Sequence, residues 1–250
     1  MAAAKKHRDN SKSKTASHIS KREKFRIPPL PFPKFTREER LELTVFSGLL
    51  LTAYFFMKWC YPTTFTTADS GDYVACAISG SFGGFRPVGY SWFLILIHFF
   101  SSGLAFTIFI QFLLHAISAL YFVFAIRRFF PPAKLWLYRV FALLILLNDS
   151  TLYMTTWLLS DSVNASFTFI AFAALLRLLE NPKRISALAL MLVALYSASE
   201  MRYASLACIP VFMLLLLIIH RFRKTKVWVR PTMDREVTSA RTPSGWIGRS

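Results

Sequence analysis

Apolar and polar residues separate into long blocks along this chain. Six apolar runs stand out: Leu41–Tyr61, Leu104–Ile126, Leu135–Leu147, Val163–Leu179, Ile185–Ser199 and Ala204–His220. A helix that crosses a bilayer needs about 20 mostly apolar residues. Three of the runs are short, so their ends are expected to extend into flanking polar residues. A seventh run, Val88–Phe100, is long enough to enter a bilayer partway and short for a crossing. The pattern predicts an all-α integral membrane protein with about six transmembrane helices. The blocks divide the chain into a basic arm over 1–39, a membrane module over 40–222 and a polar tail over 223–250. Within the module an outer loop covers 62–103 and carries a juxtamembrane helix at 88–100.

Composition supports the membrane reading. The chain has 250 residues, 54% hydrophobic and 17% charged, against about 25% charged in an ordinary soluble domain. The formal net charge of +17 at first suggests nucleic acid, but the bases cluster at the ends and between apolar runs. Residues 1–39 hold eleven Lys or Arg and end near Ile27-Pro28-Pro29-Leu30-Pro31-Phe32-Pro33, which proline keeps out of a helix. The arm is read as disordered and drawn to anionic headgroups rather than to nucleic acid. The first apolar run starts only near Leu41, so no cleavable signal peptide is expected.

Cytoplasmic loops collect Lys and Arg. With the arm cytoplasmic and the 88–100 run not crossing, Arg127, Arg128, Lys134, Arg139, Arg177, Lys183, Arg184 and the Arg221–Lys226 cluster all fall inside. A crossing there would send every later cluster outside. Both termini are therefore expected in the cytoplasm. Three bases and five acids remain outside, against 27 bases and 8 acids inside. The outer charges are Lys58, Asp69, Asp72, Arg86, Asp149, Asp161, Glu200 and Arg202.

Those outer charges are the candidate chemistry. Arg86 and Arg202 are the only arginines expected on that face, and arginine grips phosphate with parallel donors. Each residue also has a plainer reading. Asp69, Asp72 and Asp161 suit helix starts; Asp72 suits a pair with Arg86, and Glu200 one with Arg202; Arg86 suits a headgroup anchor. Gln111 and His115 lie four apart on one helix face and are read as interhelical hydrogen-bond formers. Gly80–Gly84 reads as a hinge. Cys60, Cys76 and Cys208 form no metal pattern; for Cys60 and Cys76, a disulfide and two thiols both fit.

In order along the chain, Asp69-Ser70-Gly71-Asp72-Tyr73, Arg86-Pro87-Val88-Gly89-Tyr90, Gln111, Arg127-Arg128, Ser160-Asp161-Ser162 and Arg202-Tyr203 resemble the GT-C superfamily. These are membrane glycosyltransferases that use polyprenyl-phosphate sugars, here closest to the protein-mannosyltransferase-like and aminoarabinose-transferase-like enzymes. Ser91 replaces a second family proline. Ser160-Asp161-Ser162 and Arg202-Tyr203 depart from the usual Thr-Glu-Ser and Arg-Pro. The resemblance covers about residues 41–220, the shared N-terminal module of a generally longer family.

It implies sugar transfer on the outer face of a bacterial inner membrane, to a lipid, glycan or protein acceptor. Asp69 would be the catalytic base, with Asp72, Tyr73, Arg86, Asp161 and Arg202 binding substrate. No organic cofactor is implied. Some relatives use a divalent cation, which leaves Asp69 with Asp72 open as its ligands. A non-catalytic subunit that binds a lipid carrier or a larger transferase is the alternative. A flippase fits less well, because no internal repeat or midplane site is visible.

Overall fold

Helix α1 (Arg37–Cys60) begins before the first apolar run because of a local signal. Thr36 Oγ1 accepts from the Glu39 backbone N–H (3.2 Å), and Glu39 Oε2 accepts from the Thr36 N–H (2.8 Å). This capping box satisfies two otherwise orphaned donors. It moves the arm boundary, since residues 37–39 form the first, charged turn of α1 rather than the end of an arm. The computed structural model describes residues 35–81, 86–130, 132 and 134–224. The expectations for the rest of the arm, for most of the tail and for residues 82–85 lie outside the described residues.

The helices that follow are α2 (Ala68–Ser79), α3 (Gly89–Phe100), α4 (Leu104–Phe129), α5 (Leu135–Leu146), α6 (Asp149–Met154), α7 (Ser160–Glu180), α8 (Ile185–Met201) and α9 (Cys208–Lys224), with a 3₁₀ turn over Tyr203–Ala207 before α9. Among the described residues there is no strand, and Phe65 and Trp157 form an isolated bridge. Among the described residues, four segments are long and apolar enough to cross a membrane: Arg37–Cys60, Leu104–Phe129, Leu135–Met154 and Ser160–Glu180. The described residues are thus all-helical, with four apolar helices of the kind an integral membrane protein has. The third segment reaches that length only by joining α5 to α6 across Asn148, whose side chain accepts from the Thr151 N–H (3.2 Å). Helices α8 and α9 are shorter, at 17 residues each.

Helix α7 packs along both α4 and α8. Its buried face is rich in small residues: Ala171 and Ala174 cluster with Ala194 of α8, together with Leu175 and Met191, and Ala173 of α7 and Ala187 and Ala198 of α8 are buried as well. Small side chains let apolar helices approach closely, which is how packing rather than water expulsion joins them in lipid. Phe55, Phe56, Leu192, Val193 and Leu217 point outward and are exposed. A helix face of that kind is solvated by acyl chains.

Helices α1 and α4 run antiparallel. Tyr54, late in α1, stacks on Phe112 of early α4 with ring centroids 4.4 Å apart. At the far end, Glu39 pairs with Arg128 (3.0 Å), and Glu42 pairs with Arg127 of α4 and with Arg139 of α5 (3.0 Å). Glu39 and Glu42 are both buried. The end of α1 and the start of α4 therefore lie at the same end of the bundle, and α3 between them does not change sides. At about 1.5 Å per residue its 12 residues reach about 18 Å, short of the roughly 30 Å hydrocarbon core.

Candidate functional site

The site is assembled by helix starts at one end of the bundle. Helix α2 opens on a second capping box: Ser70 Oγ accepts from the Thr67 N–H (2.9 Å) and Thr67 Oγ1 from the Ser70 N–H (3.4 Å). Asp69 falls in the first turn, where a helix favours a negative side chain. The box is anchored to the bundle, because Ser70 Oγ also donates to the Leu158 carbonyl (2.6 Å) just before α7. The Leu158 N–H in turn donates to the Phe65 carbonyl (3.0 Å). Helix α2 stops at Gly80, whose φ of 64° is the left-handed conformation that suits glycine. At this residue the expected hinge is a helix cap.

Arg86 closes the first half of the site. Its Nη2 donates to Asp69 Oδ1 (2.5 Å) and its Nε to Asp72 Oδ2 (2.8 Å). The bond to Asp69, and then that to Asp72, pushes the guanidinium further above its ordinary value, so Arg86 stays charged. The guanidinium carbon lies 5.8 Å from the centre of the Tyr73 ring, within cation–π range. Tyr73 is buried and shares a hydrogen bond with Ser160 at the start of α7 (3.2 Å). It holds Arg86 with its ring face while its hydroxyl is turned to the bundle.

Asp161 and Arg202 close the second half by forming an ion pair. Asp161 does not cap α7: Leu159 occupies the cap position and makes no side-chain cap bond. Arg202, just past α8, takes Asp161 rather than Glu200. Glu200 instead brings its backbone against Gly89, where an added Cβ would lie 2.5 Å from its carbonyl oxygen. That close approach fixes the start of α3 against the end of α8.

Beneath these charges lies a buried polar network. Tyr90 Oη donates to Gln111 Oε1 (2.6 Å), while Gln111 Nε2 donates to the Trp157 carbonyl and to Ser162 Oγ (both 3.0 Å). Ser91 Oγ donates to the Tyr73 carbonyl (3.1 Å). Gln111 thus ties α3, α4 and α7 together, as its position in the apolar run suggests. His115, expected to behave the same way, differs. It is 1% exposed, and neither ring nitrogen has a hydrogen-bond partner among the described residues.

A cleft of about 220 Å³ is lined by Asp69, Tyr73, Arg86, Asp161 and Arg202. Asp72 flanks it through Arg86. The structure therefore brings together all six residues singled out from the sequence, although they span positions 69 to 202. Asp69 and Asp72 share one guanidinium, so a cation bridging them would have to displace Arg86. Among the described residues no group of three or more His, Cys, Asp or Glu is placed to hold a metal ion. Cys60, Cys76 and Cys208 are free thiols. No known family, curated protein or solved structure matches this chain.

Proposed function

We propose that this protein is a membrane glycosyltransferase that moves a sugar from a polyprenyl-phosphate carrier to a lipid, glycan or protein acceptor at the outer face. The observation that carries the reading is the convergence of Asp69, Asp72, Tyr73, Arg86, Asp161 and Arg202 on one cleft at the end of an apolar bundle. In this reading α8 and α9 complete six spans, both termini are cytoplasmic and the cleft faces the periplasm of a bacterial inner membrane. The Glu39–Arg128 and Glu42–Arg127 pairs then mark the cytoplasmic end.

The chemistry follows from what each group can do. The acceptor hydroxyl attacks the anomeric carbon and gives its proton to Asp69, a general-base step worth typically 10²–10⁴-fold. The new bond joins the acceptor oxygen to that carbon. The bond from the carbon to the carrier phosphate breaks, and the phosphate leaves with the electron pair. Arg86 spends two N–H donors on Asp69 and Asp72, out of the five a guanidinium has. The others can meet the departing phosphate, with Arg202 across the cleft. Fixed positive groups aimed at developing charge are often the largest catalytic contribution. Trp92, Leu96 and Phe99 form an exposed apolar face on α3, a surface against which the carrier's prenyl chain can lie.

A second reading, a non-catalytic subunit that binds the carrier for a larger transferase, is favoured by the fact that both cleft arginines already hold carboxylates. The two readings separate on reconstitution. The chain alone in liposomes, given undecaprenyl phosphate bearing a radiolabelled sugar, should release undecaprenyl phosphate in the presence of acceptor. Turnover only after adding a co-purified larger transferase would support the subunit reading instead.

A further inference from the structure

A second chamber of about 340 Å³ lies beside the proposed active site, on the other side of the Asp161–Arg202 pair. It is lined by His115, Ser150, Thr151, Asp161, Ser162 and Arg202. The two spaces share Asp161 and Arg202, so that ion pair is the partition between them. His115 sits eleven residues into α4, about 16 Å along the helix axis from its start at 1.5 Å per residue. Gln111, which bonds Ser162 beside Asp161, stands level with the charged rim, so the chamber at His115 reaches about 6 Å, one helical turn, below it, with α6 on one side and the first turns of α7 on the other.

We infer that this chamber receives the hydroxylated ring of a glycosyl group, with His115 as its recognition residue. The inference rests on the glycosyltransferase reading for the identity of the ligand. Its geometric basis is separate.

A buried polar group nearly always has a partner, and one turn away Gln111 has three. His115 is as deeply buried, yet both its nitrogens lack a partner among the described residues, and its side chain borders the chamber wall, so the ring meets a ligand there by turning a nitrogen toward it. A neutral imidazole offers one N–H donor and one nitrogen acceptor. A sugar hydroxyl both donates and accepts, so it matches either nitrogen. Ser162 Oγ accepts from Gln111 Nε2, which leaves its own O–H to donate to the same ligand.

Arg202 is the one cation among the described residues that line this chamber, whereas the cleft has both Arg86 and Arg202, so the phosphate is assigned to the cleft. The chamber's other lining groups, beside Asp161, are hydroxyls, imidazole and the apolar side chains of Met154 and Ala165. A neutral ring with a polar edge and an apolar C–H face fits such a lining. Its volume falls within the roughly 300–1,000 Å³ usual for small-ligand pockets. The phosphate belongs on the Arg86 side of the partition.

The ring has two possible sources, the carrier-linked sugar or a glycan acceptor. The test uses the full chain in lipid nanodiscs prepared without sugar-headed detergents. Binding of the methyl pyranosides of glucose, mannose, galactose and arabinose is followed by equilibrium dialysis and saturation-transfer NMR. At least one should bind. His115→Ala and Ala165→Leu, the latter filling the chamber from α7, should each weaken it roughly ten-fold or more, and His115→Gln should retain most of it. Binding unchanged in both His115→Ala and Ala165→Leu would overturn the proposal, as would the absence of binding by all four sugars at tens of millimolar.

Undecaprenyl phosphate, bound separately and weakened by Arg86→Ala, tests the transferase reading. Its failure to bind wild-type protein would sink that reading while the glycoside result stands or falls by itself. If undecaprenyl phosphate carrying the same sugar displaces the glycoside, the chamber holds the donor sugar. If the two bind together, it holds the acceptor.

Discussion

Replacing Gly89 by alanine perturbs one contact whose geometry is fixed by backbone on both sides. The added Cβ would lie 2.5 Å from the Glu200 carbonyl oxygen, 2.7 Å from its carbon and 2.8 Å from its Cβ. None of these belongs to the far end of a flexible side chain, so α3 or α8 must move. Restoring an ordinary 3.4 Å contact opens the α3–α8 junction by about 0.9 Å. Overpacking of this kind costs about 1–3 kcal/mol. At roughly 2–4 °C per kcal/mol for a chain of this size, Tm should fall by about 2–12 °C.

The same shift acts on Tyr90, the next residue, whose 2.6 Å bond to Gln111 has little room to lengthen. It also acts on Arg86 three positions earlier, and a displacement near 1 Å at a reacting group can cost about 10²-fold in rate. The control is Gly48→Ala, in the middle of α1, where an added Cβ meets nothing within 4 Å. Removing a helix-interior glycine there should leave Tm unchanged or raise it by an amount worth up to about 1 kcal/mol. Thermal denaturation of both variants in one detergent, followed by tryptophan fluorescence, measures the difference. Equal Tm values for Gly89→Ala and wild type would refute the claim that the α3–α8 approach is tight.

Other perturbations follow from the same contacts. Glu42→Ala removes a buried carboxylate shared by the partly buried Arg127 and the exposed Arg139 and should cost about 1–3 kcal/mol, read as a lower Tm than that of the exposed-site variant Arg37→Ala. Gln111→Leu strips partners from Tyr90, Trp157 and Ser162 at once; at about 1–3 kcal/mol per buried group left unsatisfied, it should destabilise more than Tyr73→Phe. Tyr73→Phe loses only the 3.2 Å bond to Ser160 and should lower stability by about 0.5–1.5 kcal/mol, measurable by the same denaturation.

The long apolar runs were enough to foretell α1, α4 and α7, because lipid rewards uninterrupted hydrophobicity and little else. The antiparallel arrangement of α1 and α4 also followed from charge, since Arg127 and Arg128 had to share an end with the arm. The helix starts were less legible from hydropathy. Thr36 and Glu39 spell a capping box that hydropathy ignores, so α1 begins earlier than its apolar run. Thr67 with Ser70 makes a subtler box, using serine where glutamate is usual.

The membership of the cleft was visible as charges on one face, but its pairings were not. Asp161 meets Arg202 rather than serving as a cap, because Leu159 already turns the chain into α7 and the end of α8 returns beside it. Proximity in sequence suits Glu200 to a pair with Arg202 or to marking a turn, whereas in the structure its backbone packs against Gly89. The His115 chamber had no linear signature. It exists because Asn148 restarts the chain as α6 and sets Ser150 and Thr151 opposite a residue of α4.

The central claim is that Asp69 takes a proton from an acceptor while Arg86 and Arg202 hold the leaving phosphate. Asp69→Asn tests it most directly, because the change keeps the size of the side chain and removes its capacity as a base. Wild-type and variant protein, matched for amount and Tm, are reconstituted with undecaprenyl phosphate bearing a radiolabelled sugar, and transfer to acceptor is counted. The account predicts a fall of about 10²–10⁴-fold with carrier binding retained; transfer at the wild-type rate would contradict it.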